Sequence, residues 1–313
     1  MMKRMIGLAV LGTLAMNLPM AASAAELYEQ CLTEWGANAS QVEGREFKFL
    51  IDPAKTDKKM KNAFKDIWNQ SKAVLEKNGL KLSEREKKAW SLKLAVKTFY
   101  DTPNMDLFKK GYIIRTTTSF SKNRYPEIPL KVVVKRINAP SKAIFATELK
   151  TADGKNKGVT EDNIGMGPKG AAVSYVEQTV GWRTGRAELG EMNLADFAAF
   201  VPDLKKLGID PKTKLVAYPA FGWRARPGFI EVPGLEGRTA VSMEAWSRTP
   251  DGAPIVFDFS FGYEGDFVAM KDAHKASEKA MAALYKELGD KLGYPQGERY
   301  VGSKVRILLN QPK

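Results

Sequence analysis

The sequence predicts an α+β protein in which many short strands form a barrel or a sandwich, with helices outside them. Three observations lead there. Runs rich in β-branched and aromatic residues recur between Pro-Gly, Glu-Gly and Asp-Gly turns. Several of these runs alternate charged with apolar residues, so that one face is polar and the other greasy. Other segments repeat apolar residues at helical spacing or are rich in alanine.

Taken in order, Leu27, Cys31 and Trp35 sit four residues apart and predict a short helix within 25–40. Gly44–Ile51 reads as the first strand, and Asp52-Pro53 breaks it. Lys58–Lys77 predicts an amphipathic helix with Met60, Phe64, Ile67, Trp68, Val74 and Leu75 near one face, ended by Asn78-Gly79. Ser83 as N-cap with Glu86 three residues on predicts another helix start. Leu92–Tyr100 then runs as a strand into Asp101-Thr102-Pro103-Asn104, where proline stops it. Gly111 permits backbone that other residues resist, and Tyr112–Thr117 restarts as a strand. Further strands are expected at 129–135, 143–151, 171–183, 214–218, 221–226, 239–247 and 254–262. The glycine-bearing stretch 153–170 reads as a mobile connection. Leu194–Phe200 reads as a helix capped by Asn193, and an alanine-rich helix spans about Phe267–Leu288.

The first 24 residues read as a secretory signal rather than as fold. Lys3 and Arg4 form the basic region, Met5–Met16 the apolar stretch, and Ala22-Ser23-Ala24 the small-residue cleavage site. That stretch is shorter than the roughly 20 residues a spanning helix needs, and no later segment comes close. The expected product is an exported, soluble, periplasmic chain with one domain over 25–313. Its single cysteine, Cys31, excludes an intramolecular disulfide and reads as helix packing. His274, the only histidine, lies among Lys271, Lys275 and Lys279 and reads as a surface residue. With one of each, zinc sites of the His/Cys kind and histidine-based triads are excluded, so any metal would be oxygen-ligated.

The formal charge is +13, of which Lys3 and Arg4 carry two, leaving +11 beyond the signal. Such an excess suits an anionic partner, although the lysine-rich stretch 55–97 accounts for much of it as a solvated face. No interleaved basic and aromatic platform is evident, which argues against nucleic acid. The informative charges are those inside strands. Glu46 and Lys48 share a face opposite Phe47, Phe49 and Ile51; Lys131 and Lys135 oppose Val132 and Val134. Arg224 pairs with Arg226, and Asp258 and Ser260 oppose Phe257, Phe259 and Phe261. A sheet with its polar side in water explains this, and so does a closed barrel lined with charge.

The run Tyr100–Arg115, with Asp101-Thr102-Pro103, Leu107, Gly111 and Arg115, resembles the DTP…L…G…R segment of the CYTH-type triphosphate tunnel metalloenzymes. Glu46 and Lys48 match the second Glu and the Lys of that family's Glu-x-Glu-x-Lys strand. Lys131 and Lys135 match its strand-end lysines, and Ser303…Leu308-Leu309 is similar to its Ser-Tyr-x-x-Leu-Leu ending without the tyrosine. The resemblance covers roughly residues 43–310 in outline.

It implies an antiparallel β-barrel, a tunnel with polar interior, flanked by N-terminal and C-terminal helices. It also implies binding, and hydrolysis with Mg2+ or Mn2+, of inorganic triphosphate, polyphosphate or another organic triphosphate. By position Lys48, Arg115, Lys131, Lys135, Arg224 and Arg226 would hold phosphate. Glu46, Glu244 and Asp258 would hold the metal, with Glu46 also the catalytic candidate and Glu148 a lesser acid. Gly44, Thr117 and Ser260 depart from the pattern, the first and last removing expected carboxylates. That leaves an alternative: a catalytically degenerate polyanion-binding or envelope scaffold protein that keeps its cations.

Overall fold

The computed structural model describes residues 27–57, 59–137, 139–294 and 303–310. The expected signal, 1–24, lies outside them. The strands are β1 (Gly44–Ile51), β2 (Lys81–Glu84), β3 (Lys93–Asp101), β4 (Tyr112–Ser121), β5 (Tyr125–Pro126), β6 (Leu130–Arg136) and β7 (Val159–Met166). There follow β8 (Ala172–Thr184), β9 (Val216–Ala225), β10 (Gly228–Glu231), β11 (Thr239–Ala240), β12 (Ser242–Ser247) and β13 (Val256–Glu264). The helices are α1 (Leu27–Trp35), α2 (Met60–Lys77), α3 (Asp106–Lys109), α4 (Ser141–Phe145), α5 (Leu194–Phe200), α6 (Lys271–Leu292) and α7 (Ser303–Leu308).

Nine strands close a barrel in the order β3-β9-β12-β13-β1-β7-β8-β6-β4, and the β3–β4 ladder joins its ends. Every ladder is antiparallel except β1–β7, which is parallel. The barrel interior is therefore the polar one of the two readings the alternation allowed. Along β1, Phe47, Phe49 and Ile51 turn outward and are fully buried beneath helices, while Glu46 and Lys48 turn into the lumen. α1, α2 and α6 cover that apolar outside on one flank in a large core with Phe64, Trp68, Phe257, Phe261 and Tyr285. α5 covers the opposite flank through Phe197, against Tyr100, Val132, Val134 and Val180. A closed sheet leaves no exposed edge, and the helices remove its apolar outer face from water.

Local chemistry sets several boundaries. The Asp101 carboxylate accepts the backbone N–H groups of Thr102, Leu107 and Phe108, at 2.7, 2.9 and 2.9 Å, and so pins the Asp-Thr-Pro turn to α3. Gly111, at φ +75°, lets β4 begin where a Cβ would lie 2.3 Å from the Ile137 carbonyl. α5 opens on a capping box between Asn193 and Asp196.

Five expectations need correction, the first being that 214–218 and 221–226 are not two strands but one, β9. Residues 81–84 are strand, not a capped helix: Leu82 is buried opposite Ile230 in a three-strand side sheet of β2, β10 and β11. Tertiary pairing there overrides the capping signature. The stretch 143–151 holds α4 and coil instead of a strand. The supposed connection 153–170 contains β7, which is polar on both faces and thus lacked the alternation that marks a half-buried strand. His274 is buried rather than on the surface, stacked 4.5 Å from Phe267 beside Tyr28 and Tyr263.

The family of buried charge behind β1 explains why its outer face can hold an arginine. Arg45 donates to Asp162 at 2.6 Å and also bonds Glu278 of α6, while Ser174 donates to Asp162. Tyr28 of α1 donates its backbone N–H to Glu278 at 3.0 Å. The trio ties α1, α6, β1 and β7 together, each charge being partnered within the core.

Candidate functional site: a charged blind tunnel

The lumen is a cavity of about 300 Å³ with side chains from eight barrel strands and α7 on its wall. Its cations are Lys48, Lys97, Arg115, Lys135, Arg224 and Lys304, and its carboxylates Glu46, Glu177, Glu244 and Asp258. Six against four leaves the lumen positive after every carboxylate is matched. One end of the barrel is apolar: Leu50, Phe99, Ile113, Trp246 and Val256 pack with Val305, Ile307, Leu308 and Leu309, so α7 stoppers it.

Strand register explains the convergence. Lys48 stands opposite Ser260, Arg115 opposite both Phe99 and Val133, and Glu244 opposite both Asp258 and Arg224. Lys131, two positions from Val133 on the inward face of β6, pairs across to Arg183 and lies nearer solvent. Burial and the nearby charges of Arg115, Lys135 and Arg183 lower its ammonium below the ordinary lysine range.

Of the predicted phosphate ligands, Lys48, Arg115, Lys135 and Arg224 line the cavity. Arg226 is exposed beyond the end of β9, with Arg85 and Arg224 as its charged neighbours. Glu46, Glu244 and Asp258 share the lumen, whereas Glu148 sits on the surface beside Lys150 at 3.1 Å. Sequence reasoning missed Lys97, Glu177 and Lys304 in the lumen, Arg183 beside Lys131, and Glu161, which lines an adjoining cavity with Glu46 and Ser260. Glu177 and Arg183 were legible, since they alternate with Val176, Val180 and Trp182 along β8. Glu161 went with the missed strand, and Lys304 lies on a helix that only tertiary packing inserts into the barrel.

Each lumen carboxylate holds a lysine. Glu46 pairs with Lys48 at 2.8 Å, and Lys48 also donates to Asn163 at 2.5 Å. Lys135 bonds Glu177. Lys97 donates to both oxygens of Glu244, at 2.5 and 2.6 Å, and Lys304 bonds Glu244 at 2.9 Å as well as Asp258. Burial opposes ionisation of Glu244, but Lys304 and Lys97 outweigh it and hold that carboxyl well below the usual range. Burial keeps Asp258 raised even beside Lys304. The Lys97 ammonium is pushed down to about 8 by burial, with Lys304 and Arg115 adding repulsion against the pull of Glu244.

Arg115 stands among Glu244, Glu177 and Glu46 without a close ion pair to any of them among the described residues. Burial pulls it below the ordinary arginine range, and its Nε has no hydrogen-bond partner among the described residues. The oxygen donors do not fit a divalent metal as arranged. No three histidine, cysteine or carboxylate side chains converge to hold one among the described residues, and lysines already sit on Glu46, Glu244 and Asp258.

Fold and site together define a closed-barrel protein with a cation-rich lumen. No family model and no curated protein matches the sequence. Solved structures to which the chain is similar include a candidate adenylyl cyclase from Hippeastrum, described as having a dominant triphosphatase activity. It is 10% identical, with 87% of this chain and 98% of that one covered, at a TM-score of 0.42. A candidate adenylate cyclase from Bacillus halodurans is 14% identical over 85% and 96% of the two chains, at 0.37. The PH1819 protein of Pyrococcus horikoshii is 10% identical over 85% and 98%, at 0.33.

Proposed function

We propose that the lumen binds the phosphate chain of inorganic triphosphate, short polyphosphate or another organic triphosphate. The observation that carries this reading is Arg115, whose buried Nε has no hydrogen-bond partner among the described residues, in a lumen where Lys48, Lys97, Lys135 and Arg224 as well as Glu46, Glu177 and Glu244 share the wall. A chain of linked phosphates presents oxygens in several directions and high charge in a narrow shape, which cations from separate strands match. Guanidinium groups add bidentate hydrogen bonds to that attraction. Lys131 and Arg183 nearer solvent would meet the chain as it enters. The same reading takes the protein as exported to the periplasm, on the strength of the leader-like residues 1–24.

Binding without turnover is the form the observations favour. Hydrolysis with magnesium or manganese requires carboxylates able to hold the ion, and the candidates are paired with lysines. Glu46 is the residue on which a turnover role would fall. Calorimetric titration of wild type with tripolyphosphate should give saturable binding. Arg115→Ala should weaken it by about 10- to 100-fold, the range of a lost charge-assisted hydrogen bond. Equal affinity in wild type and Arg115→Ala would reject the site. Phosphate release with Mn2+, abolished by Glu46→Ala, would instead establish the hydrolase.

A further inference from the structure

We propose that Lys304 is a resident, tethered counter-ion on the Glu244–Asp258 pair, standing where a divalent cation would otherwise bind and making anion binding in this tunnel independent of metal. The inference rests on the reading of the lumen as an anion site. Glu244 and Asp258 are cross-strand neighbours on β12 and β13 with their side chains in the lumen, an arrangement suited to hold a cation between two carboxylates. What lies between them is a lysine. Its Nζ bonds Glu244 Oε2 at 2.9 Å and Asp258 Oδ2, and its ammonium is 5.0 Å from the Trp246 ring centre.

Lys304 is delivered by α7 and held there by the apolar residues that follow it. Val305, Ile307, Leu308 and Leu309 pack into the barrel end with Phe99, Ile113 and Trp246. A free ion exchanges with solvent, whereas this charge can leave only if the stopper leaves. Asp258 adds an independent sign that the pair is built for more than a lysine. It is 4% exposed, and its Oδ1 has no hydrogen-bond partner among the described residues. The Lys304 ammonium takes one oxygen of each carboxylate and Lys97 holds both oxygens of Glu244, so the oxygen left over in the pair is Asp258 Oδ1.

Lys304→Ala would leave Asp258 without its cation and Glu244 with Lys97 alone. Two consequences follow. A divalent cation should then bind in place of the ammonium, and tripolyphosphate should be repelled unless that cation is present.

The test is calorimetry on the full chain with Mn2+ alone, and with tripolyphosphate in the presence of chelator or of Mn2+. Wild type should bind tripolyphosphate equally well with chelator and with Mn2+, and should bind Mn2+ alone at least tenfold more weakly than Lys304→Ala. Lys304→Ala should bind tripolyphosphate at least tenfold more weakly under chelator and recover with Mn2+. Adding Glu244→Gln and Asp258→Asn should abolish the Mn2+ site.

Lys304→Met, which retains the stem that fills the stopper, should reproduce the Mn2+ result if the shorter variant does not fold. Wild-type tripolyphosphate binding that requires Mn2+ would overturn the proposal, and this arm needs no variant. So would equal Mn2+ affinity in wild type and Lys304 variants. If no form binds tripolyphosphate yet Mn2+ binds only when Lys304 is removed, the phosphate reading fails while the counter-ion assignment stands.

Discussion

Lys97 should make anion affinity fall with pH in a way that no surface lysine can. Its ammonium lies inside the barrel against both oxygens of Glu244, and burial with neighbouring positive charge brings it down to about 8. Above pH 8 the empty tunnel loses this charge, whereas a bound phosphate chain would draw the proton back. Binding above that pH therefore takes up a proton and weakens by about tenfold per pH unit, or about 1.4 kcal/mol. From pH 7.5 to 9.5 the expected loss is roughly 25-fold for wild type.

Calorimetry with tripolyphosphate in two buffers of different ionisation enthalpy reads both the affinity and the proton uptake. Lys97→Arg keeps the charge throughout the range and should flatten the profile, which also controls for titration of the ligand itself. Stability should move the other way. Because the folded-state value is depressed, the unfolded chain binds the extra proton between pH 8 and 10.5, so Lys97 favours folding progressively as pH rises through that window. A wild-type slope shared by Lys97→Arg, or affinity that does not change above pH 8, would refute the reasoning.

Arg45→Met leaves Asp162 and Glu278 buried without their cation and should cost about 3–5 kcal/mol in urea unfolding. Tripolyphosphate affinity should stay within twofold, because Arg45 faces the helices and not the lumen. Asp101→Ala removes the acceptor of three backbone N–H groups and should destabilise by about 3–5 kcal/mol, with Asp101→Asn milder, again by urea unfolding. His274 is held neutral by burial, down to about 3, so the unfolded chain protonates first as pH drops below 6.5. Wild type should thereby lose about 2–3 kcal/mol between pH 6.5 and 4.5, a loss that His274→Phe abolishes in melts across that range. Glu278, raised to about 7 by burial, acts in the opposite direction in both proteins, so the difference between them isolates His274.

The strand-level chemistry was legible before any coordinates. Glu46 and Lys48 opposite three apolar residues, or Asp258 and Ser260 opposite three phenylalanines, can only place charge on one side of a strand, because successive residues point to opposite faces. The Asp-Thr-Pro turn and the Asn193 cap were equally local, since each depends on hydrogen bonds within a few residues. His274 was misread for the converse reason: lysines at neighbouring helix positions say nothing about the one face that meets α1 and Phe267.

Local pattern thus settled which side chains within a recognised strand share a face and where the Asp-Thr-Pro turn falls. Whether those faces looked at water or at one another depended on the β3–β4 closure, a contact whose strength lies in pairing registers rather than in composition. The polar strand β7 exists because β1 and β8 flank it and satisfy its backbone, not because its own residues favour a strand. Lys304 shows the same separation most sharply. Its charge is plain in the chain, but its partners Glu244 and Asp258 lie about 60 and 46 residues away, and only the packing of α7 into the barrel end brings an ammonium to them.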